Sequence, residues 1–265
     1  MSILNRTTQS PDGVFIRYSV SGAAEAALVF IHGGLADRSF WAAQHAAFSG
    51  KFKVVSLDLA GHGESGSNRR TWSIASFGAD VAAVADAEDL ERCILVGNSL
   101  GGAVALEAAL ALGSRTLGVI AVDTFHDLTR HIEPDQAREQ AEAWRRDFGG
   151  MLEQMLRALF HPNTDPAVVA LVRERMSRMA AETVAAMFEG FGGYATAMPA
   201  RQLRVPLRCI NGDLFPTHVQ LNQTVLAGFD AVVLPHTGHF PMLECPREFN
   251  RALRGFAEWM LMRVP

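Results

Sequence analysis

The sequence predicts an α/β fold: a mostly parallel eight-stranded sheet flanked by helices, with a helical cap inserted after the sixth strand. Three observations carry this. Short, near-continuous apolar runs alternate with stretches of helical periodicity, the pattern of strands buried on both faces by crossover helices. The one long break in that alternation, from near Val122 to near Pro206, itself reads as helix. Finally, Gly97-Asn98-Ser99-Leu100-Gly101 stands where an apolar strand gives way to a small-residue helix.

Taken in order, two early strands, 3–9 and 14–20, are joined by Ser10-Pro11-Asp12-Gly13, which has hairpin-turn chemistry. Six further strands are predicted at 27–31, 53–57, 92–96, 117–122, 207–210 and 231–234. Helices between or after them fall at 39–48, 74–87, 100–112, 217–227 and 246–262. The long interval holds helices at 134–148, 151–160, 166–180 and 182–188. An insertion of that size at a strand's C-terminal end is most simply a lid over an active site. The chain then divides into a core, 1–123 with 206–265, and a cap, 124–205. Met151, Met155, Met176, Met179 and Met187 are concentrated in the cap, where they either pack it onto itself or line an adaptable apolar pocket.

With 265 residues, 49% of them hydrophobic, the chain is long enough to bury a full sheet core as one domain with an inserted lid. A formal charge of −4 leaves no electrostatic footprint for nucleic acid or an anionic membrane. Arg69-Arg70 and Arg145-Arg146 read as solvated faces. The first 22 residues are polar and strand-like, without the basic and apolar regions of a secretory leader. No stretch reaches the roughly 18 to 20 apolar residues of a membrane span. Three cysteines without metal spacing, Cys93 and Cys209 in predicted strands and Cys245 in a loop, fit a reduced, cytoplasmic protein.

A strand-to-helix elbow exposes a serine hydroxyl, because glycines at 97 and 101 permit the sharp backbone and close helix packing. It also sets the Leu100 N–H at a helix N-terminus, where unpaired donors and the helix dipole favour a developing negative oxygen. Ser99 is therefore the candidate nucleophile. A serine hydroxyl needs a base, an orienting acid and oxyanion donors. His239 follows the last predicted strand and precedes the C-terminal helix, so its loop reaches the elbow from the side; it is the candidate base. His236, His218 and His126 lack that combination of position and flanking turn.

With these residues in hand, the chain resembles the α/β-hydrolase superfamily. The motifs are His32-Gly33-Gly34 after the third strand, Asp58-x-x-Gly61-His62-Gly63-Glu64-Ser65 after the fourth, the elbow after the fifth, and Gly238-His239-Phe240 after the eighth. The resemblance extends over essentially the whole chain. It implies that Gly33-Gly34 is an oxyanion loop whose Gly34 N–H joins that of Leu100. It also implies that His32 buttresses this loop and that the segment from Asp58 is a structural turn.

The acid departs from the usual pattern. The superfamily's aspartate commonly lies three residues after a glycine ending the seventh strand, and here that residue is Phe215. Asp213 directly follows Gly212, as a shifted acid or a turn residue; Asp123, at the end of the sixth strand, occupies a position used in some branches. Either carboxylate orients an imidazole, since the triad is defined by geometry. Asp123 is preferred over Asp213, with Asp127 a lesser alternative.

The expected chemistry is acyl transfer by Ser99, His239 and one of these acids on a small carboxylic ester or related carbonyl substrate, with no metal or organic cofactor. Two alternatives stand beside it. One is a carbon–carbon bond hydrolase of ring-fission diketones, similar in its Gly-Asn-Ser elbow and helical lid, which needs a cation such as Arg157, Arg173, Arg175 or Arg178 for an acidic tail. The other is a ligand receptor on the same fold that does not turn over. Gly33, Trp41, Phe125 and Phe240 are the leading candidates to contact substrate, with Trp144 and Phe188 also able to shape a pocket.

Overall fold

In the computed structural model, which describes residues 2–263, the two early strands and the six apolar runs form one sheet. Its strands are β1 (Leu4–Gln9), β2 (Phe15–Ser21), β3 (Ala27–Ile31), β4 (Lys53–Leu57), β5 (Cys93–Asn98), β6 (Thr116–Val122), β7 (Leu207–Gly212) and β8 (Asp230–Leu234). Their spatial order is β1-β2-β4-β3-β5-β6-β7-β8. β1 pairs antiparallel with β2 across the hairpin, and β2 antiparallel with β4. Every pairing from β4 onward is parallel. A crossover helix is the natural return between parallel neighbours.

The helices flanking the sheet are α1 (Ala42–Phe48), α2 (Ile74–Ala87) and α3 (Leu100–Leu112). Between β6 and β7 lie α4 (Pro134–Arg146), α5 (Phe148–Leu159), α6 (Pro166–Met176), α7 (Ala181–Gly190) and α8 (Ala197–Gln202). They are followed by α9 (Val219–Val225), α10 (Pro241–Glu244) and α11 (Pro246–Leu261). The pleat sends alternate residues to opposite faces. In β3, Val29 and Ile31 join a core with Phe77 and Val81 of α2 and Val104 of α3. Leu28 and Phe30 join the opposite core, with Phe48 of α1 and Phe249 and Leu253 of α11. That second core continues into Trp144, Leu152 and Val172 of α4, α5 and α6.

Element starts follow capping chemistry. Ser73 and Ser76 form a reciprocal capping box at α2, while Asp147 and Asp165 accept backbone N–H groups at the starts of α5 and α6. The helix predicted at 39–48 begins instead as a 3-10 turn, Arg38–Trp41, because Asp37 accepts the Ser39 N–H at 2.8 Å and tightens the first turn. The helix predicted to reach 180 stops at Met176. The short helices α8 and α10 were not predicted, since one or two turns give no readable period.

Arg69 does not lie on a solvated face. Its guanidinium is buried and pairs with Asp80 at 2.5 Å and Asp12 at 2.8 Å, fastening the turn after β1 to α2. Arg145 does lie on the surface, paired with Glu182 and Glu189 of α7.

Two buried imidazoles impose a pH limit. Burial pushes His45, held between the Ser21 and Ser56 hydroxyls, down to about 4. Burial, with the His32 ring 4.8 Å away, pushes His62 down to about 3. In the unfolded chain these rings take up protons at about pH 6.5. Their neutral, folded forms therefore contribute stability that is complete above about pH 6.5 and is lost as the pH falls toward the folded values. We expect a calorimetric melting temperature that is level from about pH 7 to 8 and declines steadily from about 6.5 to 4; a level melting temperature through that acid window would contradict the assignment.

Candidate active site

The segment after β5 has little conformational choice. Ser99 adopts φ 53° and ψ −120°, a left-handed backbone costly for a non-glycine residue. It is held by its N–H donating to the Val122 carbonyl at 3.0 Å and by tight packing around it. A Cβ on Gly97 would overlap the Gly101 carbonyl, and one on Gly101 would overlap the Ile31 carbonyl, so only glycine fits at either place. The result directs the Ser99 side chain into a cavity of about 850 Å³ at the C-terminal edge of the sheet.

His239 opens on the same cavity from the loop after β8. Its Nδ1 lies 2.6 Å from Asp123 Oδ2. A carboxylate only accepts, so Nδ1 carries the proton and Nε2 is left free to act as a base. Asp123, one residue beyond β6, also has a positive φ of 43°, and its other oxygen accepts the Gly212 N–H at 2.9 Å. Burial works to raise the Asp123 carboxyl, but the His126 and His239 imidazoles beside it outweigh burial and hold it well below the usual carboxylate range. His126 Nε2 stands 3.6 Å from Asp123 Oδ1, a second imidazole that the sequence did not place at the acid.

Of the two carboxylates, the structure brings Asp123 to the imidazole and not Asp213. Asp213 is exposed and accepts the backbone N–H groups of His236 at 2.8 Å and Thr237 at 3.1 Å, serving as a turn residue. Asp127, the lesser alternative, binds Thr129. Asn98 ties the elbow to the histidine loop, its Nδ2 donating to the carbonyls of His239 and Val122, each at 3.0 Å.

Gly33, Gly34 and Leu100 line the cavity beside Ser99. The side of Gly33 that a Cβ would occupy is 3.2 Å from Ser99 Cβ, so this loop packs directly against the serine. Leu100 opens α3, whose first N–H groups have no partner within the helix. His32 is buried beneath the loop: its Nε2 accepts the Leu59 N–H at 3.0 Å, which puts the proton on Nδ1, 2.7 Å from the Gly33 carbonyl.

The inner cavity wall is apolar, formed by Phe125, Met155, Leu159, Met187, Phe188 and Phe240. Its outer rim is polar, with Arg130, His131, Gln136 and Gln140 exposed on the loop before α4 and on α4 itself. Phe125 and Phe240, the candidate substrate contacts, are thus among the residues lining the cavity. Trp41 is not: it is fully buried between Phe30 and Phe249, ring centroids 4.9 and 6.2 Å away, because 3-10 turn Arg38–Trp41 points it into the core. Trp144 is likewise a packing residue, stacked on Phe188. None of Arg157, Arg173, Arg175 and Arg178 lines this cavity; Arg173 and Arg178 pair with Glu153 and Glu174, and Arg175 faces Asp37. The arginine at the rim is Arg130, in the loop before α4 and outside the helices.

Among the described residues no helix is long and apolar enough to cross a membrane. A family model described as the alpha/beta hydrolase family matches residues 28–252. The chain is 33% identical over 111 residues to the dihydrolipoyllysine-residue acetyltransferase component of the acetoin cleaving system of Cupriavidus necator. That match spans 42% of this chain and only 30% of the relative. It is 23% identical over 263 residues to 3-oxoadipate enol-lactonase 2 of Acinetobacter baylyi, covering 94% of this chain and 95% of that one. A thermophilic esterase from Thermogutta terrifontis superposes with a TM-score of 0.83 at 24% identity, over 98% of this chain and 99% of the other, a likeness of fold.

The two carboxylates are separable by mutation. Asp123→Asn is expected to lower kcat for an activated ester by about 10³- to 10⁴-fold, since the carboxamide favours the wrong tautomer of His239. Asp213→Asn is expected to lower it by about tenfold or less, as a disturbance of loop position alone. Equal losses in the two variants would overturn the distinction.

Proposed function

The chain belongs to the alpha/beta hydrolase family, and on that premise we propose that it hydrolyses small carboxylic esters and lactones through an acyl-enzyme on Ser99. One observation carries the reading: a strained serine and an imidazole already oriented by a buried carboxylate open on one cavity. The enol-lactonase likeness over nearly the whole chain supports this substrate class.

In the proposed mechanism His239 Nε2 takes the Ser99 proton as Oγ attacks the carbonyl carbon, and Asp123 stabilises the imidazolium. The N–H groups of Gly34 and Leu100 receive the oxyanion; removing one such donor typically costs about 10²–10³ in rate. His239 then protonates the departing alkoxide, and water activated by the same ring cleaves the acyl-enzyme. In a lactone the departing oxygen stays tethered to the acyl group, so the product is one hydroxy acid.

The helical interval 124–205 acts here as a cap. Met155 and Met187 line the cavity from α5 and α7, and their flexible thioethers suit acyl groups of varied shape. The polar rim leaves the alcohol side facing water.

Purified protein is expected to turn over a short p-nitrophenyl ester repeatedly and to be inactivated by one equivalent of a fluorophosphonate. Ser99→Ala is expected to abolish both, with a loss of about 10⁴-fold or more in kcat. Residual multiple turnover in Ser99→Ala near the parent rate would overturn the proposal, and stoichiometric labelling without turnover would favour a receptor.

A further inference from the structure

Five consecutive backbone N–H groups in the loop bearing His239 are all captured. Asp213 accepts those of His236 and Thr237. The Glu244 carboxylate accepts that of Gly238 at 3.0 Å on Oε2 and that of Phe240 at 2.9 Å on Oε1. The N–H of His239 itself donates to the Leu159 carbonyl at 2.8 Å, at the end of α5. Glu244 Oε2 also accepts the Thr164 hydroxyl at 2.5 Å. The loop is thus enclosed between Glu244 and the helical interval, so closely that a Cβ on Gly238 would stand 2.6 Å from the Leu159 carbonyl oxygen and 3.0 Å from Glu244 Oε1.

We propose that Glu244 is a positioning residue for His239, fixing the backbone on both sides of it so that the imidazole spans Asp123 and Ser99. The inference rests on the acyl-transfer reading of the site. The imidazole must keep its bond to Asp123 while Nε2 serves first the Ser99 hydroxyl and then the leaving group. Only rotation about two side-chain bonds is available to it, so its reach is set by where the main chain holds its Cα. Two N–H groups two residues apart converge on one carboxylate, which fixes that point from both directions. The carboxylate is essential to the device because both groups are donors and both of its oxygens accept. A carboxamide of the same shape accepts one and turns its own NH₂ toward the other.

The test measures p-nitrophenyl ester hydrolysis per fluorophosphonate-titrated site in the parent protein and in Glu244→Gln. We expect kcat to fall about 10- to 100-fold with KM within about threefold. A merely structural role changes the number of titratable sites while leaving kcat and KM per site in place, and that result would overturn the proposal. Amide hydrogen exchange in the parent protein provides a second arm that does not depend on the variant's folding. The Gly238, His239 and Phe240 amides are expected to exchange far more slowly than those of exposed loops; rapid exchange there would overturn it independently. Persistent turnover in Ser99→Ala would refute the acyl-transfer reading and this inference together, whereas an inactive Ser99→Ala beside an unimpaired Glu244→Gln would refute this inference alone.

Discussion

The hydrogen bond between Asp123 and His239 joins residues 116 positions apart and constrains everything around it. A buried carboxylate is costly unless it is paired, and removing one partner of such a pair costs about 3–5 kcal/mol. Its compensation here comes from one imidazole at 2.6 Å, one backbone N–H at 2.9 Å and a second imidazole at 3.6 Å. Meeting that demand requires the ends of β6 and β7 and the loop after β8 to converge on one edge of the sheet. Only the parallel order β5-β6-β7-β8 brings them there.

The same edge concentrates strain. Leu35, Ser99, Asp123 and Phe125 all have positive φ, and all belong to turns leaving β3, β5 or β6. Such conformations persist only where the surroundings over-determine them. Here the parallel sheet fixes the strand ends while glycine packing and main-chain hydrogen bonds fix the turns. In the strand order, β3 and β5 are neighbours, and the chain leaves β3 toward β4 on one side but leaves β5 toward β6 on the other. The loops after β3 and β5 therefore part and open a crevice, the usual ligand position in parallel sheets. Gly33 and Ser99 pack against each other and both line the cavity there.

Much of this was legible in the sequence because it depends on local pattern. Apolar runs marked six strands, the Ser10-Pro11-Asp12-Gly13 turn marked the hairpin of the other two, and glycine spacing around Ser99 marked the elbow. What escaped depends on distance in space. Asp123 and Asp213 both end strands that abut in the sheet, and only the register of β6 on β7 decides that the first meets the imidazole while the second caps a turn. Trp41 lies close in sequence to the Gly33-Gly34 loop, yet a single tight turn carries it into the core. Arg69 looked solvated as one of a basic pair, since nothing local announces a buried partner at Asp80. Glu244 was invisible for a related reason: its partners in the histidine loop are main-chain groups, which carry no residue signature.

The account's central claim is that a covalent bond forms between substrate acyl group and Ser99. The most direct measurement is rapid acid quenching during turnover of an activated ester, followed by intact-mass and peptide-mapping mass spectrometry. The account predicts a transient species heavier by one acyl group, located on the peptide containing Ser99 and decaying at the rate of turnover. Sustained hydrolysis with the acyl group on another residue, or with none detected under conditions where deacylation is slowed, would contradict it.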